Sequence, residues 1–240
     1  MSVKFENMDI FGISRIGRKV KITELDVTVS DPEYSYVGGI IFYIDPNAED
    51  NGAVYHFYDK EGRQFGKELP DLQVGDAPYI VRIEGTPTKD RYYVLHEELF
   101  LSKRWTYYAN SEYVYESLGT TNTIGSGKTN TALVMAASSG AYVTDDSNGV
   151  PTVWYQLKLV NDAVTGGCSD WFIPSRAELE KLKLAIDGGH ISLTWFTNKY
   201  IWSSAENSAS NAWYWHYGGQ AWDGNNKNNA TLSVCVVRAF

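Results

Sequence analysis

Cysteine is nearly absent from this chain: 240 residues carry two, Cys168 and Cys235. No Cys-x-x-Cys occurs and the spacing fits no zinc pattern. The first reading is two small buried hydrophobes, because free cysteine is among the most buried residue types. A disulfide between them comes second, since each adjoins an expected core element, and a catalytic thiol comes last. Histidine is scarce too. His56, His96, His190 and His216 lie far apart, with no metal-ligand spacing among them. Long apolar runs are missing. None approaches the ~18 residues of a membrane span, so membrane insertion is not expected. The first residues, Met-Ser-Val-Lys-Phe-Glu, lack the apolar core of a secretory signal. The expectation is a protein that stays in the cytosol, leaves as part of a particle, or has been trimmed. Positive charge is short as well: 21 Lys and Arg against 29 Asp and Glu give a net charge of −8. The basic residues are scattered, which argues against nucleic acid or an anionic membrane as partner.

What the chain does have is apolar and aromatic content. The apolar fraction is 43% and the aromatic fraction 14%, enough for a sizeable core. The length fits one large domain, or a domain plus an arm. Residues 1–33 show no clean period apart from an alternating stretch at 20–29, and they read as an N-terminal arm for attachment or oligomerisation. Residues 39–45 (GIIFYID) read as a buried strand, and 53–58 as a second, joined to it as a hairpin through the Asp50-Asn51-Gly52 turn. Further strands are expected at 79–84, 91–101 and 105–108. Residues 130–137 (NTALVMAA) fit a helix or a strand. Residues 152–164 place Val153, Leu157, Val160 and Val164 at helical spacing before a Gly166-Gly167 stop. Ser175 followed by Glu178 is a capping box that opens a helix from Arg176 to about Asp187, with Leu179, Leu182 and Ile186 on one face. Strands, two helices, then strands to the end predict an α+β fold with a short-stranded antiparallel sheet.

Several motifs fail on inspection. Residues 124–129 (IGSGKT) resemble the end of a phosphate-binding loop, but Asn122 stands where its first glycine belongs. His96-Glu97-Glu98-Leu99-Phe100 has Phe100 where a zinc-protease helix needs its second histidine. Asp45, Asp145, Asp146 and Glu206 are each able to join a calcium site with carbonyl partners, yet nothing resembles an EF-hand. No metal and no cofactor is expected.

The distinctive segment is the C-terminal one. Between Ser203 and Asn229 the chain is almost all Asn, Ser, Gly, Ala, Tyr and Trp. Six asparagines fall there, among five large aromatics: Trp213, Tyr214, Trp215, Tyr217 and Trp222. Tyr and Trp give rigid contact area at low entropic cost, and Ser, Gly and Asn give adaptable hydrogen bonding, as in an antibody paratope. The apolar runs 200–202 and 232–240 read as buried strands that hold the segment.

Residues 170–175 (DWFIPS), Glu178-Leu179, residues 201–204 (IWSS) with Glu206, residues 211–213 (NAW), 224–229 (GNNKNN) and 237–240 (VRAF) occur in that order. Together they resemble the C-type-lectin-fold variable proteins of diversity-generating retroelements, and their non-variable relatives of the formylglycine-generating-enzyme type. Residues 38–43 (GGIIFY) and 124–131 (IGSGKTNT) resemble earlier family segments. The resemblance covers roughly residues 35–240, with an insertion near 59–105. It implies a C-type lectin-like domain over 34–240, with two helices and a variable region at about 200–230.

In that family, reverse transcription mutates template adenines and spreads asparagine codons over many residue types, though never Trp, Lys, Gln, Glu or Met. By that logic Trp202, Trp213, Trp215, Gln220, Trp222 and Lys227 are scaffold or fixed contacts. Tyr214, His216, Tyr217, Gly219, Asp223 and Gly224 are candidate diversified positions, with Ser208 and Ser210 beside them. The implied ligand-binding set is Ser208, Ser210, Trp213, Tyr214, Trp215, His216, Tyr217, Gly219, Trp222, Asp223, Gly224 and Asn226. The implied protein is non-enzymatic and receptor-recognising, carried on a phage tail or bacterial surface, with a protein or glycan ligand. A fixed-specificity lectin-like or structural appendage protein is the alternative, and an oxidase is a third. Two features depart from the family's relatives. Trp222-Asp223-Gly224 is only a partial echo of the calcium lectins' motif, and the reactive cysteine pair of the oxidases is not matched. A Cys168–Cys235 disulfide would echo a lectin-fold bridge.

Overall fold

The computed structural model describes residues 34–48, 51–106, 108–109, 112–138, 152–196, 198–217 and 221–240. The arm at 1–33, Asp145, Asp146 and Gly219 lie outside the described residues. The chain, expected as one domain over 34–240, gathers into two compact units. One comprises residues up to Leu95 with Asn161–Ser169 and Ala239–Phe240, and the other His96–Val160 with Asp170–Arg238.

In the first unit, β1 (Tyr34–Tyr36), β4 (Ile80–Glu84) and β3 (Val54–Tyr58) form an antiparallel sheet with β4 in the middle. β2 (Ile40–Ile44) pairs instead with the start of β5 (Tyr92–Phe100), Ile41 opposite Val94. The expected β2–β3 hairpin therefore does not form. Asn51 and Gly52 do turn the chain through left-handed conformations, but turn chemistry fixes only the reversal. The partners are chosen by burial: Ile41, Phe42, Val94 and Leu95 are all within 1% of full burial. Tyr92, Phe57 and Phe240 add edge-on, tilted and stacked ring contacts.

The second unit begins with a short pair, β6 (Tyr108–Ala109) and β7 (Glu112–Tyr113). Helices α1 (Ser126–Ala137), α2 (Val153–Asp162) and α3 (Arg176–Asp187) follow, then β8 (Tyr200–Glu206), β9 (Asn211–His216), β10 (Ala221–Asn226) and β11 (Val234–Ala239). The fold is α+β, and every strand pair with a described register is antiparallel. Three α-helices stand where two were expected. The added one, α1, buries Ser126, Gly127, Asn130, Thr131 and Val134. Four of those five are not apolar, so a search for apolar periodicity cannot find its inner face. The Asn130 amide donates to Thr121 O (2.8 Å) and Ser204 Oγ (3.2 Å) and accepts from Thr121 N. The second helix, α2, stops before Val164, which takes a left-handed conformation at the turn.

The capping box on α3 forms as expected. Ser175 Oγ accepts from Glu178 N, and Ser175 N donates to Glu178 Oε2 at 2.7 Å. The same carboxylate also caps α1: its Oε1 accepts from Gly125 N (2.9 Å) and Gly127 N (3.2 Å). One fully buried carboxylate thus satisfies orphan amides at two helix N-termini. This is why residues 124–129 look like a phosphate loop and are not one: the anion at that helix start is Glu178. Gly127 is required there, because a Cβ on it would lie 2.2 Å from Glu178 Oε2 and 2.9 Å from Ile173 O.

Burial pushes the Glu178 carboxyl up to about 7, against the amides of Ser175, Gly127 and Gly125 that pull it down. Between the ordinary glutamate value and about 7, the folded protein therefore holds a proton that the unfolded chain has released. Stability should fall as pH rises through that window and level off above it, by about 3 kcal/mol if the whole shift is realised. The Glu178→Gln variant should lose this slope and, with its amide facing N–H donors, unfold more easily by about 1–3 kcal/mol. Urea denaturation of both proteins at about pH 5 and about pH 8 checks the two expectations.

Candidate ligand-binding face

The polar, aromatic segment folds into one antiparallel sheet with β9 between β8 and β10. Directly opposed residues share a face, and neighbours along a strand alternate. Trp215 stands opposite Ile201 on one side and Trp222 on the other, and Trp213 stands opposite Gly224. These residues make the first face. Tyr214 stands opposite Trp202 and Asp223, and His216 opposite Tyr200 and Ala221. These make the second.

The first face meets α3. Arg176, the first residue of that helix, places its guanidinium 4.3 Å from the Trp213 ring centre and 5.1 Å from that of Trp222. The Trp222 indole donates to Glu180 Oε2 at 2.9 Å. Trp215 is completely buried, with Tyr217 edge-on at 5.0 Å and Phe196 at 6.5 Å. Trp215 was expected to touch ligand; it is a core residue instead, because its strand position points it between the sheet and its cover. Tyr217 is half-buried against the same rings, and its backbone N–H donates to Lys199 O. A Cβ on Gly224 would strike Asn207 Nδ2 at 1.9 Å.

The second face is open at one end. The Tyr200 and His216 rings stack 4.2 Å apart and 17° from parallel. Tyr214 meets Tyr200 at 5.7 Å and Trp202 at 6.2 Å, both edge-on. Its hydroxyl donates to Asp223 Oδ2 at 3.4 Å, and burial together with that carboxylate raises its pKa, keeping the phenol protonated. Tyr200 is 41% exposed and Asp223 is exposed, whereas Trp202 is fully buried, its indole donating to Lys103 O. The surface therefore comprises Tyr200, Tyr214, His216 and Asp223. Sequence reading missed Tyr200, which was placed in a buried strand. Its position two residues before Trp202, on the same side, was the available signal.

The remaining candidates build turns. Ser208 Oγ accepts from Asn211 N (3.0 Å) and lies 3.5 Å from Ser210 Oγ. Asn226 Oδ1 accepts from Asn228 N (2.9 Å). These three residues are exposed, at the end of the sheet where Asn226 pairs with Asn211, away from the Tyr200–His216 stack.

Glu206, a calcium candidate in the sequence, is taken up by a buried ion pair. Lys227 Nζ, 1% exposed, lies 2.6 Å from its Oε1, donates to Glu116 O and sits 4.6 Å above the Trp105 ring. Its Oε2 accepts from Leu118 N and from Thr120 N and Oγ1. Asp45 accepts from Asn47 N and the Tyr43 hydroxyl in a local turn. Among the described residues no three His, Cys, Asp or Glu gather to hold a metal. No described helix is long and apolar enough to cross a membrane. Cys168 and Cys235 are buried free thiols, in line with the first reading of them as small buried hydrophobes and not with the disulfide considered second.

The chain matches no family model and no curated protein. Among solved structures it is similar to a fimbrial protein from Bacteroides ovatus, with 12% identity and a TM-score of 0.38. The match spans 76% of this chain and 47% of that one, so this chain covers less than half of that protein's length.

Trp215→Ala should destabilise by about 3–5 kcal/mol, as for a large aromatic removed from a core. Tyr214→Ala, on the open face, should cost about 1 kcal/mol or less. Chemical denaturation of the two variants checks the assignment of faces, and equal losses would refute it.

Proposed function

We propose that this chain is a non-enzymatic recognition protein whose ligand docks on the open face of the β8–β9–β10 sheet. One observation carries the reading. Of the described residues that retroelement codon logic leaves changeable, Tyr214, His216 and Asp223 share the open face, whereas Tyr217 packs on Trp215 and Gly224 stands opposite Trp213. Of those it fixes, Trp213, Trp215 and Trp222 share the face under α3, and Trp202 is fully buried at the closed end of the other face. Changes on one face alter contacts with a ligand, while the other face keeps the fold. That supports a variable protein of C-type lectin-like type, displayed on a phage tail or bacterial surface.

The oxidase reading is weakened by the thiols. Burial pushes Cys235 up to about 12, leaving no thiolate near neutral pH. Cys168 is buried and directs its thiol to Tyr36 O. A fixed-specificity lectin-like protein would use the same face without variation.

Sequencing the 3′ end of the gene across a natural population separates the two. The proposal expects changes at adenines in the codons for Tyr214, His216 and Asp223, with Trp213, Trp215 and Trp222 constant. An invariant segment, or changes spread evenly over all bases, would leave a fixed site and defeat the variable-protein reading.

A further inference from the structure

The reverse side of this sheet already holds a cation. Arg176 lies over the rings of Trp213 and Trp222, and Glu180, four residues further along α3, accepts from the Trp222 indole. A guanidinium on electron-rich rings beside a carboxylate fastens the helix to the sheet. The open side offers the same ingredients. Tyr200, Tyr214 and His216 supply the rings. Asp223 supplies the carboxylate, accepting from the Tyr214 hydroxyl and from Gly224 N. Glu206, Asp170 and Asp187 of the same unit pair with Lys227, Arg238 and Lys183, whereas Asp223 has no ion-pair partner among the described residues. The chain as a whole carries a net charge of −8.

We propose that the open face takes a guanidinium or primary ammonium group from a basic segment of a partner protein, with the tyrosine rings beneath it and Asp223 beside it. The proposal rests on the reading of this sheet as a recognition face. Anionic ligands meet Asp223 and the acidic bulk charge unfavourably. A neutral glycan would use the hydroxyls and the carboxylate as hydrogen-bond partners but leave the charge of Asp223 unmatched.

Calorimetric titration of the full chain with a nona-arginine peptide, and in parallel with maltoheptaose, tests this. The expected result is nona-arginine binding that weakens about tenfold in Asp223→Asn and in Tyr214→Ala. Asp223→Glu, which keeps the charge, should retain the affinity, and Tm should stay unchanged in the two Asp223 variants and fall by no more than about 4 °C in Tyr214→Ala. Absence of nona-arginine binding overturns the proposal. So does binding that is equal in wild type and Asp223→Asn, since that is general attraction to an acidic protein. Maltoheptaose binding that needs Tyr214 but not the charge of Asp223 overturns it too, while leaving the recognition face itself standing.

Discussion

The Glu178 carboxylate is the interaction on which the second unit depends. Its two oxygens tie the N-terminus of α1 to that of α3, with amides from Gly125, Gly127 and Ser175 converging on it. Residues within one turn of this junction set the neighbouring sheet. Arg176 lies two positions before Glu178 and Glu180 two after, and these are the side chains that hold Trp213 and Trp222. The position of α3, and with it the covered side of the sheet, follows from a buried carboxyl whose loss would leave amides unpaired.

A second constraint is the twofold alternation of a strand. In β9 it sends Trp213 and Trp215 to one side and Tyr214 and His216 to the other. The same segment therefore places Trp215 in the core and leaves Tyr214 and His216 partly exposed. The register shifts between Trp202 and Glu206, where the Ser203 hydroxyl donates to Trp213 O of β9 and the Ser204 hydroxyl accepts from the Asn130 amide. The buried Lys227–Glu206 pair performs a related task at the far end of the sheet. It anchors the backbone at Leu118 and Thr120 through hydrogen bonds to one carboxylate. Breaking such a pair on one side leaves an uncompensated buried charge, which is why Lys227 reads as scaffold.

Local chemistry made part of this legible in the sequence. Ser175 and Glu178 specify α3 through a capping box, and its apolar face follows at helical spacing. The α+β class follows from the order of elements. The identity of strand partners does not, since Ile41 and Val94 meet across some fifty residues for reasons of burial alone. Residues 130–137 fit a helix or a strand in the sequence, and helix α1 goes uncounted because its inner face is built of Ser126, Asn130 and Thr131. The candidate site was legible as a region and not as a surface. Composition picked out the aromatic segment, but only pairing register separates buried Trp215 from open Tyr214 and brings Tyr200 beside His216.

On the proposed reading, the two faces of one sheet carry separate tasks. Two libraries test it most directly: one randomises Tyr214, His216 and Asp223 together, the other Trp213, Trp215 and Trp222. Both are sorted for protease resistance. The account predicts that most members of the first library stay folded and that few of the second do. Equal tolerance in the two libraries would contradict it.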